Sequence, residues 1–270
     1  MKGYENDYKR CDQLHNIKIR ELKTPYIRDF INTLKTKTGT SASDGTKKKT
    51  KIFISNLLQF ALENELINRN VASFTMNNLK GKVKEKNIFT NEEIKELWEL
   101  SKSYYFARVI LVMIYTGLRI SEIRGLKRES INILQGTIIN SGIKTEKGKN
   151  RTIFIHKDIK PVIMELIQES KNDYLIYGDF KIKAREKNKS VSKTYFEKKF
   201  KEICNILGVV HTPHDTRHTF TTILYRNGLK DKYIIDLVGH TDIKMTESNY
   251  IHLERKELQD SLNNIDFKVN

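Results

Sequence analysis

The stretch TPHDTRHTFTTILY, residues 212–225, decides how the rest of the chain is read. Thr212 followed by Pro213 is an N-cap ahead of a proline at the first helical position, where a missing N–H costs nothing, so the residues predict a helix from His214 to Tyr225. On that helix His214 and Arg217 lie three apart and share a face, which sets a proton-transfer group beside a guanidinium fork suited to phosphate. The same stretch admits a metal site, because His211, His214 and His218 are spaced H-x2-H-x3-H. Pro213 interrupts that spacing and Arg217 would repel a cation, so His218 is read as a packed or hydrogen-bonded helix residue.

Two further stretches carry chemistry-bearing residues. GLRISEI, residues 117–123, puts Arg119 and Glu122 three apart, so that the carboxylate could aim the guanidinium. A structural salt bridge is the plainer reading of such a pair. GHTDIKMTESNY, residues 239–250, holds His240 and, ten residues on, Tyr250 near a turn-to-helix junction. A tyrosine there is ordinarily core. A phenol titrates near pH 10, so its use as a nucleophile requires neighbouring cations and a base, and the chain offers both.

Composition narrows the partner. The 270 residues carry 49 Lys and Arg against 33 Asp and Glu, a net charge of +16. Such an excess suits a polyanion, nucleic acid first, because each neutralised phosphate releases counterions. Hydrophobic residues make up 38% of the chain and charged ones 30%, as in a soluble globular protein, and the apolar run Val109 to Ile114 is too short to cross a bilayer. The N-terminal MKGYENDYKR has no secretory pattern, which sets the expected address as cytoplasmic, and nucleoid-associated in action. Cys11 and Cys204 stand too far apart for a zinc ribbon or a disulfide framework and are read as packing residues.

The first third reads as helical. Ile54, Leu57, Leu58, Ala61 and Leu62 follow the stripe of a helix with one buried face. Lys47, Lys48, Lys49 and Lys51 cluster at the start of the same helix, either to cradle phosphate or as a solvated charge run. Residues 77–87, NNLKGKVKEKN, lack periodicity and are rich in lysine, Lys82 and Lys84 among them, as a linker running along DNA would be. The expected organisation is a helical domain over residues 1–80, a linker over 81–89 and a second domain over 90–270. In the second domain Thr90 and Glu93 form a capping-box pattern that starts a helix near Asn91, with Ile94, Leu97, Trp98 and Leu100 on its apolar face. A buried helix then runs from Phe106 to Tyr115 and stops at Thr116-Gly117. Between Thr137 and Ile155, the runs TII and TIFI flank a Gly/Lys/Asn-rich stretch and predict a hairpin or small sheet. The fold class is mainly α with a small antiparallel β-sheet, α+β.

Taken in order, Arg119, Lys144, His214, Arg217, His240 and Tyr250 resemble the catalytic set of the tyrosine recombinase (phage integrase) family. TGLRISEI is similar to the family's first arginine motif, IKTEKGKNRTIFI to its catalytic-lysine hairpin, HDTRHTF to its His-x-x-Arg motif, and LVGHTDIKMTESNYIH to its Gly-His…Tyr ending. The resemblance covers about residues 88–255 strongly. Residues 1–76 resemble, more weakly, the end of a core-DNA-binding domain, most like that of conjugative-transposon integrases. Those usually carry a further N-terminal arm-binding domain, which the chain is expected to lack, its opening residues reading as a truncated start.

The resemblance implies a site-specific recombinase that cuts and rejoins double-stranded DNA through a 3′-phosphotyrosine, for integration and excision of a mobile element, with no nucleotide cofactor and no metal. It implies that Arg119 and Arg217 clamp the scissile phosphate, Tyr250 attacks it, Lys144 protonates the departing 5′ oxygen, His214 assists proton transfer, His240 holds the phosphate and Glu122 buttresses Arg119. Lys147 and Lys149 lie on the same stretch as Lys144, which is chosen for its Lys-Thr context. The resemblance further implies a tetramer on synapsed DNA, docked through a C-terminal helix bearing Leu258, Leu262 and Ile265. An ordinary terminal helix folded on its own core is the alternative. A DNA-binding regulator using the fold without chemistry is the rival function, and type IB topoisomerases share the tyrosine chemistry. A rolling-circle relaxase would need a His-hydrophobe-His metal site, which no pair of the seven histidines supplies.

Overall fold

The computed structural model describes residues 2–36, 38–74, 87–139, 152–178, 189–238 and 260–267. Lys82, Lys84, Lys144, His240 and Tyr250 lie outside them, as does Leu258. The chain divides into two compact units, Met1–Lys84 and Glu85–Asn270.

The first unit holds three helices, α1 (Lys2–Arg10), α2 (Thr24–Thr33) and α3 (Asp44–Glu63). Ser43 caps α3 by accepting from the Thr46 N–H at 3.3 Å. Ile27, Phe30 and Ile31 of α2 pack with Ile54 and Leu58 of α3 and with Cys11, Ala42 and Ala72. Of the five stripe positions, Ile54, Leu58 and Ala61 are buried, but Leu57 is 48% exposed. The buried face turns instead through Thr50, four residues before Ile54. The Asn70 amide donates to the Ser55 carbonyl at 2.9 Å and the Thr24 hydroxyl to the Val71 carbonyl at 2.9 Å, tying the chain after α3 back onto the helices.

The second unit is built around α5 (Tyr105–Thr116), buried from Phe106 to Thr116 at every position but Arg108. That arginine, the helix's one charge, donates to Glu169 at 2.7 and 3.1 Å and to Glu165 at 3.2 Å. With so many large side chains removed from water, each contributing about 1.5–3 kcal/mol, the helix is the central element of the core. Around it lie α4 (Asn91–Ser101), α7 (Lys160–Glu169), α8 (Lys193–Ile206) and α9 (Pro213–Arg226). Thr90 and Glu93 make the reciprocal capping box that starts α4. The Trp98 indole donates to the Tyr115 hydroxyl at 3.1 Å, which satisfies a phenol whose ring is wholly buried.

The short helix α6 (Ile120–Arg124) leads to a sheet of β1 (Ile131–Asn132), β2 (Thr137–Ile138) and β3 (Ile153–Phe154), antiparallel in the order β1-β2-β3. Ile138 faces both Ile131 and Ile153 across the ladders. The sequence points to β2 and β3; β1, two residues long like them, has no β-branched run to mark it. A last helix, α10 (Asp231–Val238), follows α9. Residues 260–267 rejoin the core of their own unit: Leu262, Ile265 and Phe267 are buried, and the Phe267 ring stacks on Tyr115 with centroids 4.3 Å apart. Cys11 and Cys204 are buried free thiols, each pushed up to about 11 chiefly by burial, as packing residues should be.

Candidate functional site

The site begins where α5 ends. Gly117 closes the helix in the left-handed conformation, φ +63°, and donates its N–H to the Met113 carbonyl at 2.9 Å. Only glycine fits: a Cβ here would lie 2.4 Å from Cδ1 of the buried Phe220. This turn presents Arg119, which precedes α6 rather than lying on it. Glu122 reaches back with both carboxylate oxygens, accepting from the Arg119 backbone N–H at 2.8 Å and from its Nη1 at 2.8 Å. The Glu122 side chain is 6% exposed and that of Arg119 is 40% exposed. A buried carboxylate therefore fixes the root and the head of a guanidinium that faces solvent.

The second arginine is held differently. Arg217, in the second turn of α9, is 3% exposed. Its Nη1 donates to the Gly117 carbonyl at 2.7 Å, and its Nη2 donates to the Val238 carbonyl. One side chain thus bridges the end of α5, two residues before Arg119, and the end of α10, two residues before His240. The plane of the fork is set by two backbone oxygens.

His214 is exposed at the start of α9, its ring edge-on to His218 with centroids 4.5 Å apart. The first turn is capped by Asp215, which accepts from the Thr212 N–H at 2.6 Å and the Thr212 hydroxyl at 3.0 Å. His211 has other partners. Its Nε2 donates to Glu93 at 3.0 Å and its ring stacks on Phe89 at 3.9 Å. The described residues hold no group of three or more His, Cys, Asp or Glu side chains able to hold a metal.

The four lysines of α3 separate into two kinds. The helix starts at Asp44, so they follow an acidic residue and the Ser43 cap, with Lys47, Lys48 and Lys49 in its first two turns and Lys51 just beyond. Lys47 donates to the Asn32 carbonyl at 2.9 Å and Lys51 lies 5.5 Å from the Phe74 ring centroid, whereas Lys48 and Lys49 are exposed. Two features went unread in the sequence, the anchoring of Arg217 by Gly117 and Val238 and the link from His211 to Glu93. Both join residues far apart in the chain, and only the Thr90–Glu93 box marked one partner.

Residues 87–257 match the phage integrase family, and the chain belongs to it. It is therefore a tyrosine site-specific recombinase by family. The XerC-like tyrosine recombinase of Caldanaerobacter subterraneus subsp. tengcongensis is 27% identical over 94% of this chain and 73% of its own length. The tyrosine recombinase XerA of Pyrococcus furiosus is 33% identical over 64% of this chain, a match spanning only 59% of that protein. Among solved structures, the Tn1549 transposon integrase in complex with transposon right end DNA superposes with a TM-score of 0.75 at 17% identity, over 95% of this chain and 92% of that one. That likeness extends over the fold. No helix among the described residues is long and apolar enough to cross a membrane.

Proposed function

We propose that this chain cuts and rejoins double-stranded DNA at specific core sites to integrate and excise a mobile element, with Tyr250 as the nucleophile. The observation that carries this reading is the Arg217 fork. Its bonds to Gly117 and Val238 tie the turn that presents Arg119 to the chain end that enters the His240–Tyr250 motif. Arg119 and Arg217 neutralise the non-bridging oxygens of the scissile phosphate, where fixed charge lowers the barrier most. The Tyr250 oxygen bonds to phosphorus as the bond to the 5′ oxygen breaks. Its proton passes toward His214, while Lys144 supplies a proton to the leaving oxygen and His240 donates a hydrogen bond to the phosphate. The 3′-phosphotyrosine conserves the bond energy, so a 5′ hydroxyl from another strand reverses the step and exchanges partners.

Residues 1–80 serve as the core-binding domain and 81–89 as the linker, with Lys48 and Lys49, and Lys82 and Lys84, on phosphates. Lys47 and Lys51 join them only by leaving their present partners. The transposon integrase of similar fold is a DNA complex, and the charge of +16 suits the same partner. The active form is a tetramer on synapsed DNA, acting in the cytoplasm. Docking of the C-terminal segment on a neighbour would exchange Leu262, Ile265 and Phe267 out of the core they now occupy.

The test uses a nicked core site that traps cleavage, read on a denaturing gel. The wild type should give a covalent protein–DNA band and Tyr250→Phe none. DNA binding without any adduct would make the chain a regulator instead.

A further inference from the structure

The start of α9 carries His214 and, one turn on, Arg217, so whatever fixes that start fixes the geometry of the proposed chemistry. Hydrogen bonds and a ring stack hold it to the segment that opens the second unit. The Asn87 amide donates to the Val210 carbonyl at 2.7 Å, and the Phe89 N–H donates to the Thr219 hydroxyl at 2.9 Å. The Phe89 and His211 rings stack at 3.9 Å and 22°. His211 Nε2 meets Glu93 Oε2 at 3.0 Å.

His211 is the centre of this seam. Its side chain is 3% exposed. A carboxylate only accepts, so Nε2 carries the hydrogen. The same Glu93 oxygen accepts the Thr90 N–H at 2.8 Å, which makes the cap of α4 also the anchor of the histidine. On its other side, Nδ1 lies 3.8 Å from Asp215 Oδ2, the oxygen that caps α9 through Thr212. One imidazole thus lies between the carboxylates that cap two helices, three residues before His214.

We infer that His211 is a positioning residue of the strand-cleavage reaction, holding the first turn of α9, and through it His214 and Arg217, in register by its bond to Glu93. The inference rests on the recombinase reading for its consequence and on the geometry alone for the bond. A purely packing role for the ring would be served by any aromatic stacked on Phe89. The proposed role needs the donor.

Three proteins separate the two. His211→Phe keeps the ring and drops the donor; His211→Gln sacrifices the ring and places an amide donor near the position of Nε2. At saturating nicked DNA, His211→Phe should form the covalent adduct about tenfold more slowly than the wild type, with DNA affinity within about twofold, and His211→Gln should recover most of the rate. In the absence of DNA, amide hydrogen exchange over residues 213–219 should accelerate in His211→Phe and return toward wild type in His211→Gln. Wild-type cleavage and exchange in His211→Phe would overturn the inference, as would a glutamine variant as defective as the phenylalanine one. If His211→Phe does not fold, His211→Leu enters the same comparison. An inactive wild type with the exchange pattern intact would count against the recombinase reading and leave the positioning bond standing.

Discussion

Arg217 donates from Nη1 to the carbonyl of Gly117 at 2.7 Å, across 100 residues of sequence. That bond joins the two arginine motifs through backbone rather than through each other. The position of one guanidinium thereby depends on the same turn that presents the second.

Arg217→Lys should therefore cost more than a charge-conserving change suggests. A lysine ammonium has enough N–H donors for both carbonyls but not the planar fork whose two separated nitrogens reach Gly117 and Val238, so at least one of the two bonds is lost. Leaving one of them buried without a donor costs about 1–3 kcal/mol. Chemical denaturation should show that loss, and adduct formation on the nicked site should fall below detection.

Gly117→Ala should be destabilising by about 1–3 kcal/mol, because the methyl group meets the Phe220 ring and the residue must hold φ +63°. Adding Phe220→Leu should return only part of the loss, since the backbone strain persists. Thermal unfolding of the two variants separates the contributions.

His156 gives the stability a pH dependence of known sign. Burial lowers its pKa from the ordinary 6.5, while Asp158 and the backbone of Ile265 and Asn263 act in the opposite direction. Between the lowered folded value and 6.5 the unfolded chain binds a proton that the folded one does not, so stability rises with pH there and is lost as pH falls below about 6.5. The melting temperature of the wild type should drop more from pH 7 to pH 5 than that of His156→Leu. Equal slopes would remove His156 as the cause. The Phe267 ring lies 5.0 Å from His156, so the C-terminal segment should be among the first elements released.

On α3 the exposed pair Lys48 and Lys49 should govern DNA affinity. Replacing both with Gln should weaken binding uniformly across sequences and reduce the salt slope by about 1 for each phosphate that is no longer neutralised. Lys47→Gln should act less on DNA, its ammonium being engaged with the Asn32 carbonyl.

Local signals in the chain foretold local structure well. Thr90 with Glu93, Thr212 with Pro213, and Gly117 after an apolar run each mark a helix end whose energetics are settled within a few residues, and α4, α5 and α9 begin or end there. The spacing of Arg119 and Glu122 likewise foretold their pairing, although the carboxylate grips the residue before the helix. What depended on distant partners was not legible. Nothing near Arg217 points to Val238, and nothing near His211 points to Glu93. Leu57 follows the apolar stripe yet is exposed, because the neighbouring elements of the first unit cover only one side of α3. The C-terminal spacing fits docking on a neighbour and return to the chain's own core equally, and Leu262, Ile265 and Phe267 occupy the latter.

In the proposed reaction Tyr250 becomes joined to DNA. The most direct test is to trap the adduct on a nicked core site, digest the DNA and the protein, and map the modified peptide by mass spectrometry. The wild type should yield a nucleotide attached through its 3′ phosphate to Tyr250, within the tryptic peptide of residues 245–255, and Tyr250→Phe no such peptide. A nucleotide on any other residue, or an adduct that persists in Tyr250→Phe, would contradict that role for Tyr250.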